Sequence, residues 1–281
     1  MIINGYEIKD GVLDLENETI TIIEDKAFLS ARPLRSVILP SSVEHIGDWA
    51  FSKCTNLLSV KFAGPHRPGL FGRNVFAGCE KLGRIEFSGS DPVTSKLLAL
   101  CTNRLAYDHL LRSDDVGLES WYAKWDISLE SVLRSDDAQA RMSAALCGEE
   151  DISYDGIGSV DGEMPGETGD FVQKEEFRKC SLCYIRLSND RYLREGTRKA
   201  IEDHIRSNRL GAGNGSAFYS VFEEGDDVLA YLRIYLDTVK PDARELKEMI
   251  AAVPTKDVYA RSYLINESGP DDPFGKLMLD Y

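Results

Sequence analysis

Three groups of residues have types and spacings that can do chemistry. Between Glu149 and Asp170 the chain places eight carboxylates and no Lys or Arg. Within that run Asp151, Ser153, Asp155, Gly156 and Ser159 match the first, third, fifth, sixth and ninth positions of an EF-hand calcium loop, and Asp161 adds another oxygen donor. The bidentate Glu that completes such a shell is displaced: Gly162 holds its position and Glu163 comes one residue late. Met164-Pro165-Gly166 also does not continue as an exit helix. The segment is expected to be a solvated linker without a metal, and Asp151, Ser153, Asp155 and Asp161 are the one calcium set to test.

The second group is Cys180-Ser181-Leu182-Cys183. A zinc site wants a second such pair or suitably spaced histidines, and a redox dithiol wants a helix N-terminus after a strand. Here the pair lies within a helical pattern beside Phe177 and Tyr184, so core packing is the expectation. The third group is His45, His66, His109 and His204, none of them near a nucleophile in a recognisable spacing. A nucleophile elbow, a phosphate loop and a His-Glu-x-x-His helix are all missing from the sequence. Gly211-Ala212-Gly213-Asn214-Gly215 resembles a phosphate-cradling run, but it joins helix to helix rather than strand to helix. No catalytic residue and no cofactor is expected, and the chain is expected not to be an enzyme.

The elements that would position any such site follow from composition and periodicity. In 281 residues, 43% hydrophobic and 28% charged, there is enough apolar material for a substantial core and one or two domains. No apolar run approaches the roughly 18 residues needed to cross a bilayer. The start Met1-Ile2-Ile3-Asn4-Gly5-Tyr6-Glu7 shows no secretory signal, so a cytoplasmic location is expected, or a surface one if a leader was removed. The formal net charge of -14 disfavours nucleic acid and anionic membrane as partners. With no export signal the six cysteines are expected to be reduced and mostly buried.

A repeat fills the first third. Aligning Phe28, Phe51 and Phe76 places Leu34, Leu57 and Leu82 six residues on, Val37, Val60 and Ile85 nine on, and Leu39, Phe62 and Phe87 eleven on. Ile20 and Val43 lie eight residues before their Phe, and Ile23 and Ile46 five before. Leu13 and Leu15 take the nine and eleven positions of a truncated first unit. The second period is longer, with an insertion around Pro65-His66-Arg67-Pro68. Each unit offers a short strand, such as Leu34 to Leu39, whose inward residues stack on those of the next unit, while Ala27, Ala50 and the Phe fill the opposite wall. One unit cannot bury its apolar face alone, so the stack is the folding entity. Cys54 and Cys79 fall on the same edge of successive coils and are expected as stacked thiols.

The stretches Ala27-Phe28, Leu34 through Val43, Ile46-Gly47, Ala50 through Cys54 and Leu57 resemble the BspA-like, or Treponema pallidum-type, leucine-rich repeat over about residues 5–90. The third copy departs, with Val75 for the Ala and the insertion for the Pro-Ser-Ser turn. The resemblance implies a short curved solenoid used to bind partners, often on bacterial or protist surfaces. If the strands form, the side chains between core positions face solvent. Those residues, Asp14, Arg35, Ile38, Leu58, Lys61, Arg84 and Glu86, are the candidate recognition ladder, with Ile38 and Leu58 side by side.

After Phe87 the period becomes helical. Asp91-Pro92 is a helix start, and one helix is expected from Val93 through Leu111, capping the open end of the stack. Trp121 to Leu133 and Ala138 to Cys147 follow. Beyond the acidic linker come three helical hairpins: Phe171–Leu187 with Tyr192–Ile205, Ala217–Phe222 with Val228–Val239, and Ala243–Val253 with Val258–Ile265. The expected fold class is α+β, a leucine-rich-repeat solenoid of three full or partial units followed by an all-α helical-hairpin domain. The expected domains are 1–91 (solenoid), 92–148 (helical connector), 149–170 (acidic linker) and 171–281 (helical domain, ankyrin-like in architecture alone). Function is expected to be non-enzymatic recognition of a protein or peptide. The alternatives are an enzyme or calcium-dependent regulator with a site between the two halves, or a fragment of a surface adhesin.

Overall fold

The path of the chain is set by where its backbone must turn left-handed. A computed structural model describes residues 2–3, 5–135, 167–212, 214–222 and 227–268. Strand β1 (Ile2–Ile3) pairs antiparallel with β2 (Tyr6–Glu7). The chain then reverses over Lys9-Asp10-Gly11-Val12, with φ of 50° at Asp10 and 83° at Gly11. Lys9 and Val12 exchange both backbone hydrogen bonds, at 3.1 and 2.8 Å. An Asp-Gly pair suits a turn that needs two consecutive positive φ values.

From there the chain coils. Strands β3 (Val12–Asp14), β5 (Ser36–Leu39), β7 (Ser59–Phe62) and β8 (Arg84–Glu86) form one parallel sheet in that order. Strands β4 (Ile22–Ile23) and β6 (His45–Ile46) pair on another side of the coil, and an Ile46–Phe71 bridge extends that pairing. Leu13 pairs with Val37, Val37 with Val60, and Val60 with Ile85, all fully buried. The repeat register is thus the sheet register. Each coil corner carries two left-handed residues, Lys26 and Ser30, then Trp49 and Lys53, then Asn74 and Gly78.

Three ladders hold coil to coil. Phe28, Phe51 and Phe76 stack at 5.1 and 5.7 Å with nearly parallel rings. The thiols of Cys54 and Cys79 each donate to a carbonyl of the previous coil, Phe28 and Phe51, at 3.1 Å. The hydrogen-bonding contact with Cys54, and after it burial, hold the Cys79 thiol well above the ordinary thiol range, so it stays protonated. The third ladder is polar: Asp25 Oδ1 accepts the Asp48 N–H and Asp48 Oδ1 accepts the Arg73 N–H, both at 2.7 Å. Beside it the coils come so close that a Cβ on Gly47 would lie 2.3 Å from Asp25 Oδ1 and 2.5 Å from Asp25 N. Gly72 stands in the same relation to Asp48, at 2.6 and 2.9 Å.

Helix α1 (Pro92–Thr102) packs on β8. Asp91 caps it, accepting from the Val93 and Thr94 N–H groups, with Pro at the first helical position. The single helix expected through Leu111 is broken: α1 stops at Asn103, whose side-chain amide donates to the Cys79 and Leu82 carbonyls. The chain then passes Ala106 at φ 60° into a short 3-10 turn, Asp108–Leu110. Asn103 wins because its amide satisfies carbonyls at the last coil that a continued helix would leave bare. Helix α2 (Glu119–Arg134) follows, with Trp121, Tyr122, Trp125 and Leu129 buried. Indole N–H groups tie Trp121 to the Leu110 carbonyl and Trp125 to that of Leu97.

The chain divides into two compact units, residues 1–129 with 191–194, and 130–190 with 195–281. In the first unit the returning segment is fixed by an Arg191–Asp91 ion pair at 3.0 Å and by Tyr192 against Tyr122. The second unit contains α3 (Glu167–Ser188), α4 (Glu195–Ser207), α5 (Ser216–Tyr219) running into a 3-10 turn, α6 (Val228–Val239), α7 (Ala243–Ala252) and α8 (Val258–Glu267). Together with α1 and α2 this makes eight α-helices among the described residues, and the architecture is α+β. Tyr184 on α3 stacks on Tyr231 of α6 and donates to the Ala217 carbonyl at 2.6 Å. Asp242 and Glu245 form a reciprocal capping box at the start of α7. The expected helix over 138–147 lies outside the described residues.

Candidate binding face

Strand alternation positions the ladder. In β5 and β7, Val37, Leu39, Val60 and Phe62 point inward, leaving positions 36, 38, 59 and 61 on the outer surface. The pairing sets Ser36 beside Ser59 and Ser59 beside Arg84, and a second row of Asp14, Ile38, Lys61 and Glu86. Arg35, Leu58 and Gly83 stand one residue before these strands, with Leu58 N–H donating to the Arg35 carbonyl at 2.8 Å and Gly83 N–H to that of Leu58 at 3.0 Å. All seven expected ladder residues therefore share one four-strand surface.

Their exposures differ. Asp14, Arg35, Lys61 and Arg84 are exposed, and Leu58 retains 49% of its surface. Ile38 is half-buried and pairs with Lys61, three register positions from Leu58, so the two aliphatic side chains do not stand side by side as expected. Ser36 and Ser59 share a hydroxyl hydrogen bond of 3.1 Å across the strands. Arg84 pairs with Glu86 at 3.2 Å, while Lys81 donates to Asn56 Oδ1 at 3.0 Å. Lys61 and Arg35 make no side-chain hydrogen bond or ion pair among the described residues.

A hollow of about 440 Å³ opens in this surface, lined by Leu58 to Lys61, Lys81, Gly83, Arg84 and Glu86. Sequence periodicity missed Lys81, because it sits in the turn before β8, where the strand period carries no signal. A second hollow, of about 560 Å³, lies at the β3 end and includes Glu7, Lys9, Asp14 and Glu18. The surface is cationic toward β8 and acidic toward β3.

The remaining candidates do not converge. Cys180 and Cys183 are fully buried on α3, and burial pushes the Cys180 thiol up to about 12, which leaves no reactive thiolate at neutral pH. His66 lies in the insertion, 3.3 Å from the Leu111 carbonyl and edge-on to Phe87. His204 sits 3.6 Å from Glu176 in the second unit, and burial lowers its pKa. His45 Nδ1 lies 3.2 Å from the Gly69 carbonyl, and His109 meets the Tyr107 ring edge-on. No group of three His, Cys, Asp or Glu residues among the described ones has metal-binding geometry. The calcium set Asp151, Ser153, Asp155 and Asp161 lies outside the described residues.

Residues 13–103 match the family described as BspA type Leucine rich repeat region (6 copies). This stretch is a BspA-type leucine-rich repeat region, a β-solenoid of about three turns. No curated protein and no solved structure matches the chain. Such repeats are generally non-enzymatic and are consistent with an interaction or adhesion module. No helix among the described residues is long and apolar enough to cross a membrane.

Proposed function

We propose that this chain is a non-enzymatic interaction module that holds a protein or peptide segment against the β3–β8 strand surface. The observation that carries the reading is the hollow around Leu58: an aliphatic side chain left 49% exposed beside a glycine, on a rigid parallel sheet whose other face is closed by fully buried residues. A surface of this kind offers an apolar anchor inside a polar rim, the arrangement that binding energy concentrates on. The rigidity of the sheet limits the ordering cost of binding to that of the ligand.

The test is site-specific photo-crosslinking in cell lysate. A photoreactive residue at position 58 is expected to trap one or a few discrete proteins. The same residue at Leu29, 42% exposed and off the sheet, is the control and traps none of them. Identical crosslink patterns from the two positions would overturn the reading.

A further inference from the structure

The strand surface also shows what kind of segment it suits. Around the hollow stand three cations, Lys61, Lys81 and Arg84, against one carboxylate, Glu86. Arg35 stands next to Leu58 on the neighbouring coil and extends the cationic side. Glu86 contacts Arg84 at 3.2 Å in a solvent-exposed pair that leaves other guanidinium N–H groups of Arg84 open to a ligand, and one carboxylate does not balance three cations. Lys61 is exposed and has no ion-pair partner among the described residues, in a chain whose formal charge is -14. At the opposite end of the same sheet Asp14 stands with Glu7 and Glu18 around the second hollow, where Lys9 is paired with Glu7 at 3.4 Å.

Gly83 completes the pattern. Its φ is outside the left-handed region, and a Cβ there would meet only the Leu58 and Lys81 carbonyl oxygens, each at 4.0 Å. Neither backbone conformation nor close packing requires glycine, unlike Gly47 and Gly72. What the missing side chain does is keep the space beside Leu58 open.

We infer that the hollow between β7 and β8 binds a short extended acidic peptide, with an apolar side chain seated between Leu58 and Gly83 and carboxylates on Lys61 and Arg84. The spacing fits. Lys61 and Arg84 lie on adjacent strands two register positions apart, which at ~4.8 Å between strands and ~3.3 Å per residue is about 8 Å. Alternate side chains of an extended peptide recur at about 7 Å, so carboxylates two residues apart reach both cations. The acidic β3 end repels a carboxylate-rich segment and confines it to the β7–β8 end. Charge complementarity of this sort acts on specificity and encounter rate. A peptide is favoured over a nucleic acid because a long polyanion would extend beyond the four cations into the field of a strongly acidic chain.

The inference rests on the strand surface being the binding site, and the experiment separates the two. A random peptide library displayed on phage is panned on the full-length chain and counter-panned on Gly83→Leu, which fills the hollow, and on Lys61→Glu, which reverses a solvent-exposed charge. Far-UV circular dichroism and tryptophan fluorescence confirm that each variant is folded. The expected outcome is a set enriched in Asp or Glu two residues apart with a neighbouring apolar residue. Synthetic versions bind at least tenfold more weakly to Lys61→Glu and weaken by a similar factor between about 50 and 300 mM salt. Enriched peptides that are neutral or basic, yet still lost on Gly83→Leu, would overturn the acidic class and leave the binding surface standing. Enrichment indifferent to both variants would overturn the surface as well.

Discussion

Gly47 and Gly83 are chemically the same residue with opposite reasons for being there, and that difference predicts stability changes of opposite sign. At Gly47 the added methyl of alanine would sit 2.3 Å from Asp25 Oδ1, 2.5 Å from Asp25 N and 2.8 Å from the Glu24 carbonyl carbon. Two of those three atoms are backbone, so no rotamer change relieves the clash and the coils must separate. Overpacking of this kind costs about 2–3 kcal/mol. Reduced freedom of the unfolded chain offsets about 0.4–1 kcal/mol of it. The net destabilisation is about 2 kcal/mol. At Gly83 the methyl meets nothing closer than 4.0 Å, so only the unfolded-chain term remains and alanine stabilises by roughly 0.5 kcal/mol. All three tryptophans, Trp49, Trp121 and Trp125, belong to the first unit, so urea unfolding followed by tryptophan fluorescence reports that unit alone. With a slope of about 1.5 kcal/mol per M, Gly47→Ala lowers the midpoint by about 1.3 M and Gly83→Ala raises it by about 0.3 M. A Gly47→Ala midpoint equal to wild type would refute the argument that coil contact at the Asp25–Asp48 ladder sets the spacing of the solenoid.

Two further outcomes are expected. Burial lowers the pKa of His66, with the Leu111 carbonyl and Asp114 pulling the other way, so the folded state binds its proton less readily than the unfolded chain does. Stability of the first unit therefore falls as pH drops from the ordinary histidine range of about 6.5 through the lower folded value, and His66→Gln removes that slope from urea midpoints measured at pH 7.5 and pH 5.5. Cys54, Cys79, Cys101, Cys180 and Cys183 are all fully buried, so a Cys147→Ser variant titrated with a thiol reagent shows no fast-reacting equivalent until denaturant is added. A thiol that reacts at once in the native protein would contradict this burial.

The solenoid was legible because a coil repeats its apolar positions at the interval of the backbone: Val37, Val60 and Ile85 share a register in sequence and pair directly in the sheet. Asp91-Pro92 was equally readable, since a cap and a restricted φ are local properties. The end of α1 was not. Leu105 and Leu111 continue the apolar period, and the chain is stopped by an Asn103 amide reaching carbonyls about twenty residues upstream in the coil before it. No local pattern encodes that contact. In the ladder, alternation found which residues face outward but could not separate half-buried Ile38 from exposed Leu58, because burial depends on neighbours from other coils. Lys81 went unseen because it sits in a turn outside the strand period, and the open space over Gly83 because it too depends on the neighbouring coil.

The return of Arg191–Arg194 to the first unit bears on how the protein is made. That unit takes its main portion from residues 1–129 and its last four from a segment synthesised 65 residues later. At ribosomal rates of about 5–20 residues per second, the delay is about 3–13 s. Throughout it the carboxylate of Asp91 caps its helix without Arg191, and Tyr122 has no Tyr192 ring against it. The nascent solenoid thus emerges with its coils and its cap helix in hand but unfastened, and the order of synthesis keeps its closing step until much of the second unit has begun to leave the ribosome.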